Sequence, residues 1–369
     1  MTLAELCEGL AAWLDGSGPR SDLVLSSRVR LARNVANTPF PNRANGVQLG
    51  RAFHGVAAAS ADVPSLASAT TWNLEDLATA DRPLLVERHL VSPNLLEGTG
   101  ERGVIVADGE RQAVMINEED HVRIQCVASG FQLAEVLSEA VALDRGLEER
   151  IEFAASRRHG YLTACPTNAG TGLRASVWIH LPGLALVGET KRIHRSVAEM
   201  GMAVRGWFGE GTSALGDFYQ LSNQQTLGRT EERAVEELGA VAERVLGYEL
   251  EAREKLASSD RRAKLEDRIF RSEGILRCAR LLTVSQVMAC TSDLRLGRAL
   301  GLVQVSDRGL NRLALFSQPA HLAKRMGCPQ DGESSRWERA RWVRAEMDSI
   351  GFRPRVDEEP GQGSTERGR

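Results

Sequence analysis

Two arginines separated by one residue, Arg28 and Arg30, lie in the segment SSRVRLAR. If this segment is a strand, alternate side chains share a face, and the two guanidinium groups can bind one polyanion together. Two arginines on a solvated strand are the simpler interpretation when the pair is taken alone. The pair therefore indicates a polyanion site only in combination with other features.

Three consecutive carboxylates, Glu118, Glu119 and Asp120, occupy the segment NEEDHVR, where one predicted strand ends and the next begins. Neighbouring carboxylates repel one another, so the cluster is costly unless cations compensate it. A bound cationic substrate or a metal ion would provide that compensation. An ordinary acidic turn is the alternative interpretation.

A third segment, YLTACPTNAGTGLRAS, runs from Tyr161 to Ser176. Its small residues and glycines let backbone N–H groups approach a phosphate, and Arg174 adds a positive charge. Cys165 stands beside the predicted turn, where a thiol can be partly ionised. An inert cysteine is the alternative at this position.

A fourth segment, RGWFGEG, begins at Arg205 and places Glu210 in a glycine-flanked loop. A loop of this kind can close over a substrate, although a plain hairpin turn has the same composition.

Together these segments predict a reaction class. Phosphoryl transfer needs charge neutralisation and alignment more than covalent chemistry, so a set of arginines can hold a nucleoside triphosphate. Paired glutamates can orient a guanidinium, whose pKa above ~12 makes it a poor nucleophile until a carboxylate removes a proton. The sequence contains no GxxxxGK[ST] phosphate loop and no HRD or DFG set. The expected cradle consists of Arg28, Arg30, Arg123, Arg174 and Arg205.

The elements that must position these residues follow from hydrophobic periodicity. An antiparallel meander is predicted between Val104 and Val127. A helical hydrophobic period begins near Leu227 and continues to Ile350, with Asp260 as a predicted helix cap. Hairpin-joined strands with inserted helices favour an α+β fold over a parallel doubly wound sheet. Further strands are predicted at 173–181, 202–208 and 217–221, and helices at 3–14, 131–143, 147–157 and 189–200.

Composition excludes several classes of protein. Lys and Arg number 46 against 49 Asp and Glu, so no basic field favours nucleic acid or an anionic membrane surface. The first residues carry Glu5 and Glu8 and do not match a signal peptide. The six cysteines form no CxxC pair, which indicates neither a zinc site nor a disulfide framework. A reduced, cytoplasmic setting is expected.

The four segments SSRVRLARN, NEEDHVRIQ, CPTNAGTGLRAS and RGWFGEG resemble, in order and approximate spacing, the signatures of the phosphagen (guanidino) kinases. The resemblance covers roughly Asp22 to Gly228. Metabolite guanidino kinases place a helical domain before the SSR motif, whereas here the motif begins at Ser26 and a helical extension follows at the C-terminal side. The chain therefore resembles the bacterial protein-arginine kinase (McsB-type) branch.

This resemblance implies an antiparallel-sheet catalytic domain of guanidino-kinase type, flanked by helices and followed by a helical C-terminal domain. The expected organisation is an N-terminal helix at 1–20, the catalytic domain at 21–256, the helical domain at 257–352 and a disordered tail at 353–369.

The resemblance also implies roles for individual residues. Glu119 would be the base and guanidinium anchor, Glu210 its partner, and Cys165 a thiolate near the acceptor. Mg²⁺ would bridge the phosphates, without a metal site of the protein's own. ATP would be bound by Ser26, Ser27, Arg28, Val29, Arg30, His89, Arg123, Arg174, Ala175, Ser176, Val177, Trp178, Arg205, Gly206, Trp207, Phe208, Gly209 and Glu210.

The implied activity is transfer of the ATP γ-phosphoryl to arginine in other proteins, marking them for a Clp-type protease. A zinc-containing adaptor, a Clp ATPase and a homodimer are the implied partners. Two alternatives stay open: a kinase for free arginine or another guanidino metabolite, and a nucleotide-binding regulator without turnover. The family's RDxxRA motif, which binds phosphoarginine, is reduced here to SRWERA at Ser335–Ala340, so phosphoarginine sensing is not supported.

Overall fold

An eight-stranded sheet in which every neighbouring pair is antiparallel carries the arginine motifs. The structure is a computed structural model that describes residues 2–206, 215–258 and 261–354. The strand order is β2 (Thr70–Asn73), β3 (Gly103–Val106), β4 (Gln112–Ile116), β5 (Val122–Ser129), β1 (Val24–Arg33), β8 (Leu173–His180), β10 (Phe218–Asn223) and β9 (Met202–Arg205). Two short antiparallel pairs lie outside this sheet: β6 (Ala155–Ser156) with β7 (Gly160–Tyr161), and β11 (Val303–Gln304) with β12 (Arg353–Pro354).

Helices precede, interrupt and follow the sheet strands. Those up to residue 199 are α1 (Leu3–Glu8), α2 (Gly46–Ala61), α3 (Arg82–Glu87), α4 (Pro93–Glu97), α5 (Leu133–Glu148), α6 (Pro182–Val187) and α7 (Thr190–Glu199). The remainder are α8 (Glu231–Ala257), α9 (Arg262–Cys278), α10 (Val284–Ala299), α11 (Asp307–Phe316), α12 (Pro319–Met326) and α13 (Glu333–Ser349). None of the helices in the described ranges is long and apolar enough to cross a membrane.

The alternation of side chains along β1 separates the core from the cleft. Val29 and Leu31 are buried in a large apolar cluster with residues of α2, α5 and α8. Arg28 and Arg30 point to the opposite face, because successive side chains of a strand alternate. The face of the sheet that packs on these helices is therefore mainly apolar, and the other face is charged near the middle.

The C-terminal helices pack on one end of that second face. Trp178 and Phe218 of the sheet belong to the same apolar cluster as Trp13 and the buried residues of α9, α10, α11 and α13. The predicted α+β fold, with a helical C-terminal region, is confirmed. The domain boundaries stay a prediction; α8 runs through the proposed division at residue 256.

The structure corrects some predicted elements. The helix predicted at 147–157 is wrong, because α5 ends at Glu148, a turn and a bend follow at 149–151, and the chain is then paired as a β-bridge at Phe153 and as β6 at Ala155–Ser156. Phe153 is buried, and the backbone on either side of it hydrogen-bonds to residues 34–36. The predicted N-terminal helix is only α1 followed by a 3-10 turn. Asp260, and the tail from residue 355, lie outside the described residues.

The end of β1 is fixed by a buried ion pair. Arg33 is 1% exposed and donates from Nε and Nη2 to the carboxylate of Asp144 on α5, at 3.0 and 2.6 Å. Its guanidinium also stacks over the ring of Tyr161. Because both charges are paired and hydrogen-bonded, the strand that carries Arg28 and Arg30 is held in one register.

Candidate active site

Five arginines from four strands line one cleft on the charged face of the sheet. Strand pairing explains how residues distant in sequence meet there: Arg30 lies opposite Arg174 on β8, and Ala32 lies opposite Arg123 on β5. At the far end, Gln220 of β10 lies opposite Arg205. The arginines lining the cleft are Arg28, Arg30, Arg123, Arg174 and Arg205, the same five that the sequence singled out.

The floor of the cleft is short of negative charge. Arg28 and Arg30 are only partly open to solvent, and neither Nε atom has a hydrogen-bond partner in the described part of the chain. Burial lowers the pKa of Arg28 to about 10, with a further contribution from Arg123. Burial, Arg28 and Arg123 together lower the pKa of Arg30 well below its ordinary value. Cations placed this close together repel one another, so the cleft is suited to a polyanion.

An aromatic wall closes one side of the cleft. The ring of His89 meets Trp178 edge-on, with ring centroids 4.3 Å apart, and the His89 carbonyl accepts a hydrogen bond from Gln125 Nε2 at 2.9 Å. Burial, reinforced by Arg28 and Arg30, lowers the pKa of His89 well below its ordinary value. His89 is therefore neutral near pH 7 and contributes shape and hydrogen bonding to the cleft.

The acidic turn between β4 and β5 faces the same cleft. Glu118 is nearly buried and pairs with Arg123 at 2.7 Å, whereas the Glu119 side chain is 44% exposed and lies 3.3 Å from Arg123 Nη2. Partial burial raises the pKa of Glu119; Arg123 opposes this effect, while Asp120 and Glu118 add to it. A carboxylate with raised proton affinity at the cleft surface is suited to take a proton from a substrate.

Asp120, the third carboxylate of the turn, is buried and holds a neighbouring loop. It accepts hydrogen bonds from Asn34 Nδ2 at 2.6 Å and from the backbone N–H of Ala164 at 2.7 Å. The next residue is Cys165, a half-buried free thiol whose Sγ lies 3.0 Å from Thr167 Oγ1. Cys165 is not among the residues lining the cleft, although Asn168 and Gly172 of its loop are. Asp120 thus joins the loop to the acidic turn.

We expect Asp120→Ala to loosen that loop. Asn34 Nδ2 and the Ala164 N–H each lose a carboxylate acceptor, so the free energy of unfolding should fall by about 1–3 kcal/mol, and kcat should fall more than affinity for nucleotide. Denaturant titration and steady-state kinetics measure the two effects. The matched control is Asp108→Ala, which removes an exposed carboxylate from the turn between β3 and β4 and should change neither. An unchanged kcat for Asp120→Ala would show that the loop needs no such anchor.

Other predicted site residues lie elsewhere. The side chains of Val29, Ala175 and Val177 are in the core behind the sheet, because they alternate with the cleft-facing residues. Ser27 is buried and donates to the Gly130 carbonyl. Ser26 and Ser176 lie beside Trp178, next to the cleft, and Gly206 is buried at the end of β9. Trp207, Phe208, Gly209 and Glu210 lie outside the described residues.

Sequence reasoning missed several cleft residues, among them Gln125 and Gln220. Gln125 had a detectable signal, because it follows Arg123 by two positions in a strand and so shares its face. Gln220 had none, since its place depends on β10 lying between β8 and β9. Glu118 was recognised as part of the acidic cluster but was given no role of its own.

The segment Ser335–Ala340 lies on α13, far along the chain from the cleft motifs. Arg339 is buried and donates to the carbonyls of Ser317 at 2.7 Å and Leu282 at 3.1 Å, and to Ser335 Oγ at 3.2 Å. Arg339, the retained arginine of the segment, is therefore hydrogen-bonded within the protein in this structure.

Comparison with known proteins gives matches along most of the chain. Residues 55–252 match the model of the ATP:guanido phosphotransferase C-terminal catalytic domain, and residues 262–358 match the protein-arginine kinase McsB C-terminal domain. Among solved structures, taurocyamine kinase from Schistosoma mansoni with bound transition-state-analogue components is similar at 26% identity and a TM-score of 0.58. That match covers 65% of this chain but only 36% of the other. Lombricine kinase is similar at 25% identity and a TM-score of 0.55, over 67% of this chain and 75% of that one.

Curated relatives agree with the family models. Proteins named protein-arginine kinase are 41% identical in Pelotomaculum thermopropionicum, over 89% of this chain and 93% of the relative, and 44% identical in Moorella thermoacetica, over 84% and 89%. The Bacillus subtilis relative of the same name is 40% identical over 87% and 88%. The resemblance found in the four sequence motifs is confirmed. The chain therefore belongs to the ATP:guanido phosphotransferase family and, within it, to the protein-arginine kinases.

Proposed function

We propose that this protein transfers the γ-phosphoryl group of ATP to the guanidino group of arginine residues in other proteins. The observation that carries the proposal is the convergence of five arginines and Glu119 on one cleft. Cations there would neutralise a triphosphate, and the carboxylate would hold the acceptor. The shared family supports ATP as the phosphoryl donor.

The arginines would bind and align the triphosphate. Arg28, Arg30 and Arg174 would contact it from the floor of the cleft, and Arg123 and Arg205 from its two sides, so charge moving onto the leaving group is stabilised by groups already in place. The buried Nε atoms of Arg28 and Arg30 offer donors to such an anion. Magnesium, when it enters with ATP, would screen the phosphate oxygens.

Glu119 would orient the acceptor and remove its proton. A guanidino nitrogen attacks the γ-phosphorus, a nitrogen–phosphorus bond forms, and the bond to the oxygen bridging the β- and γ-phosphates breaks in line. ADP leaves with that electron pair. The proton of the attacking nitrogen passes to the Glu119 carboxylate, which is favoured because the pKa of Glu119 is raised.

Two observations favour arginine in proteins over free arginine as the acceptor. The curated relatives carry the name protein-arginine kinase at about 40% identity over most of both chains. The C-terminal helices also match a domain described as belonging to a protein-arginine kinase. The resemblance further supports roles for Glu210 and Cys165 in the same reaction.

A direct competition tests the acceptor. The purified protein is incubated with ATP and an unfolded arginine-containing protein, free arginine, or both, and phosphoarginine is measured by phosphorus NMR at neutral pH or above. We expect phosphoarginine in the protein and little in the free amino acid. Efficient labelling of free arginine alone would replace our proposal by a metabolite kinase, and the absence of transfer with intact ATP binding would indicate a regulator without turnover.

The biological setting belongs to the same proposal. All six cysteines are free thiols, which supports a reducing, cytoplasmic compartment. The resemblance supports marking of substrates for a Clp-type protease, a zinc-containing adaptor, and a homodimer. Sedimentation of the purified protein and co-purification with a Clp ATPase test these partners separately from the chemistry.

A further inference from the structure

Four ionisable side chains form a buried cluster where α3 and its following residue meet α12. Glu87, Arg88, Glu110 and His321 are 8%, 1%, 4% and 0% exposed. None of the four lines the cleft. Burying so many polar groups is costly unless each one is hydrogen-bonded, so the pattern of their bonds indicates what the cluster holds together.

Glu87 binds the first turn of α12. Its carboxylate accepts hydrogen bonds from the backbone N–H groups of Ala320 at 2.7 Å and His321 at 3.0 Å. These are among the N–H groups that have no acceptor within their own helix. A second contact joins the carboxylate to His321 Nδ1 at 2.7 Å. Glu87 therefore connects the catalytic-domain side of the molecule to the C-terminal helices.

The hydrogen-bond roles of His321 are fixed by Arg88. A guanidinium has no acceptor, so His321 Nε2, which lies 3.3 Å from Arg88 Nη1, must accept. Nδ1 then carries the proton and donates it to Glu87. Burial lowers the pKa of His321, which agrees with a neutral ring. Arg88 in turn donates to both carboxylate oxygens of Glu110 and to the Gly9 carbonyl.

The residue after Arg88 is His89, which forms the aromatic wall of the cleft. His89 has a φ of 56°, a left-handed conformation that residues other than glycine rarely adopt. Such a conformation persists only when its surroundings hold it. The bonds of Arg88 hold one side of His89, and the hydrogen bond from Gln125 to its carbonyl holds the other.

We propose that Glu87, Arg88 and His321 are positioning residues, through which α12 holds His89 against Trp178 in the nucleotide cleft. This inference rests on the proposed function, because it assumes that the cleft binds ATP. It assigns the C-terminal helices a part in nucleotide binding without any direct contact with the nucleotide. Loss of the contact between His321 and Arg88 would let His89 leave the position suited to ATP.

The test compares His321→Ala with Lys324→Ala. Lys324 also joins α12 to the start of α3, through a 2.9 Å contact with Asp81, but it touches neither Arg88 nor His89. If His89 keeps its position in only a tenth to a fifth of His321→Ala molecules, the Kd for ATP rises about five- to tenfold, while kcat at saturating ATP changes less than about twofold. Lys324→Ala should leave both values unchanged. Calorimetric titration with ATP gives the Kd independently of turnover.

Two further measurements separate positioning from general destabilisation. His321→Asn retains a donor for Glu87 but ends short of Arg88, so it should raise the Kd as His321→Ala does, even if the alanine variant fails to fold. The change in tryptophan emission caused by His321→Asn should be smaller in a Trp178→Phe background, because Trp178 lies nearer to the His89 ring than Trp13, with ring centroids 4.3 Å apart against 6.0 Å.

Each possible result of these experiments either supports or overturns the positioning role. Equal ATP affinity in the wild-type and His321 variants overturns the positioning role alone, and so does an equal loss in the Lys324 control. A wild-type protein that does not bind ATP overturns the proposed function, and this inference with it.

Discussion

Glu119→Gln is expected to lower kcat for arginine phosphorylation by about 10²–10⁴-fold, the usual contribution of a positioned proton acceptor. Glutamine has nearly the same shape but cannot take a proton at neutral pH. The Kd for ATP should change little, because Glu118 also pairs with Arg123 and would keep that cation in place. Single-turnover rates and calorimetric titration with ATP measure the two quantities separately.

The pH dependence of kcat in the wild-type protein also tests the role of Glu119. Because the pKa of Glu119 is raised, its carboxylate is protonated at a higher pH than an ordinary glutamate. As pH falls through that raised pKa, the base form is lost, so kcat should decline on the acid side above the pH at which ordinary carboxyl groups titrate. This acid-side decline should be absent from the residual activity of Glu119→Gln.

A matched control is Glu75→Gln, which makes the same substitution at an exposed site that does not line the cleft. It should leave kcat and its pH profile as in the wild type. If Glu119→Gln retained wild-type kcat, the proton acceptor would have to be sought at another carboxylate, with Glu118 the nearest alternative.

Arg30→Met should have opposite effects on function and stability. We expect kcat/KM for ATP to fall by about 10²-fold or more, because a donor aimed at the phosphates is lost. Without nucleotide, the thermal midpoint should rise by about 1–3 °C. The reason is that the pKa of Arg30 is lowered by burial and by neighbouring arginines, so its charged form is unfavourable in the empty cleft. Steady-state kinetics measure the fall in kcat/KM, and scanning calorimetry without ATP measures the rise in the thermal midpoint.

Arg33→Met is the control for this prediction. It changes the same residue type, to the same replacement, on the same strand. Arg33, however, is paired with the buried carboxylate of Asp144, so its removal should cost about 3–5 kcal/mol and lower the thermal midpoint. If both variants lowered the midpoint, self-repulsion among the cleft arginines would not be a significant cost.

Much of the cleft was predictable because its signals are local. Arg28 and Arg30 were assigned to one face from the two-residue period of a strand, and Glu119 was placed at a hairpin turn between two strands. The same period also explains why the intervening Val29 faces the core. A family motif covers consecutive residues, whereas only alternate residues of the strand face the cleft.

The parts that sequence could not supply depend on long-range packing. Gln220 reaches the cleft through the order of strands, which no local pattern specifies. The contact of Glu87 with His321 joins residues 234 positions apart. The helix predicted at 147–157 was wrong because extended pairing with residues 34–36 outweighed local helical preference.

The central position of β1 has a consequence for synthesis of the protein. This strand is the first of the sheet to leave the ribosome, yet its two neighbours are β5 and β8, with Arg28 opposite Val127 on one side and Ser176 on the other. Chains are made at about 5–20 residues per second, so β1 waits several seconds or more for its second partner. Truncated chains ending before β8 would expose an unpaired strand edge to other nascent polypeptides, and premature termination should therefore yield aggregates instead of a partly active kinase.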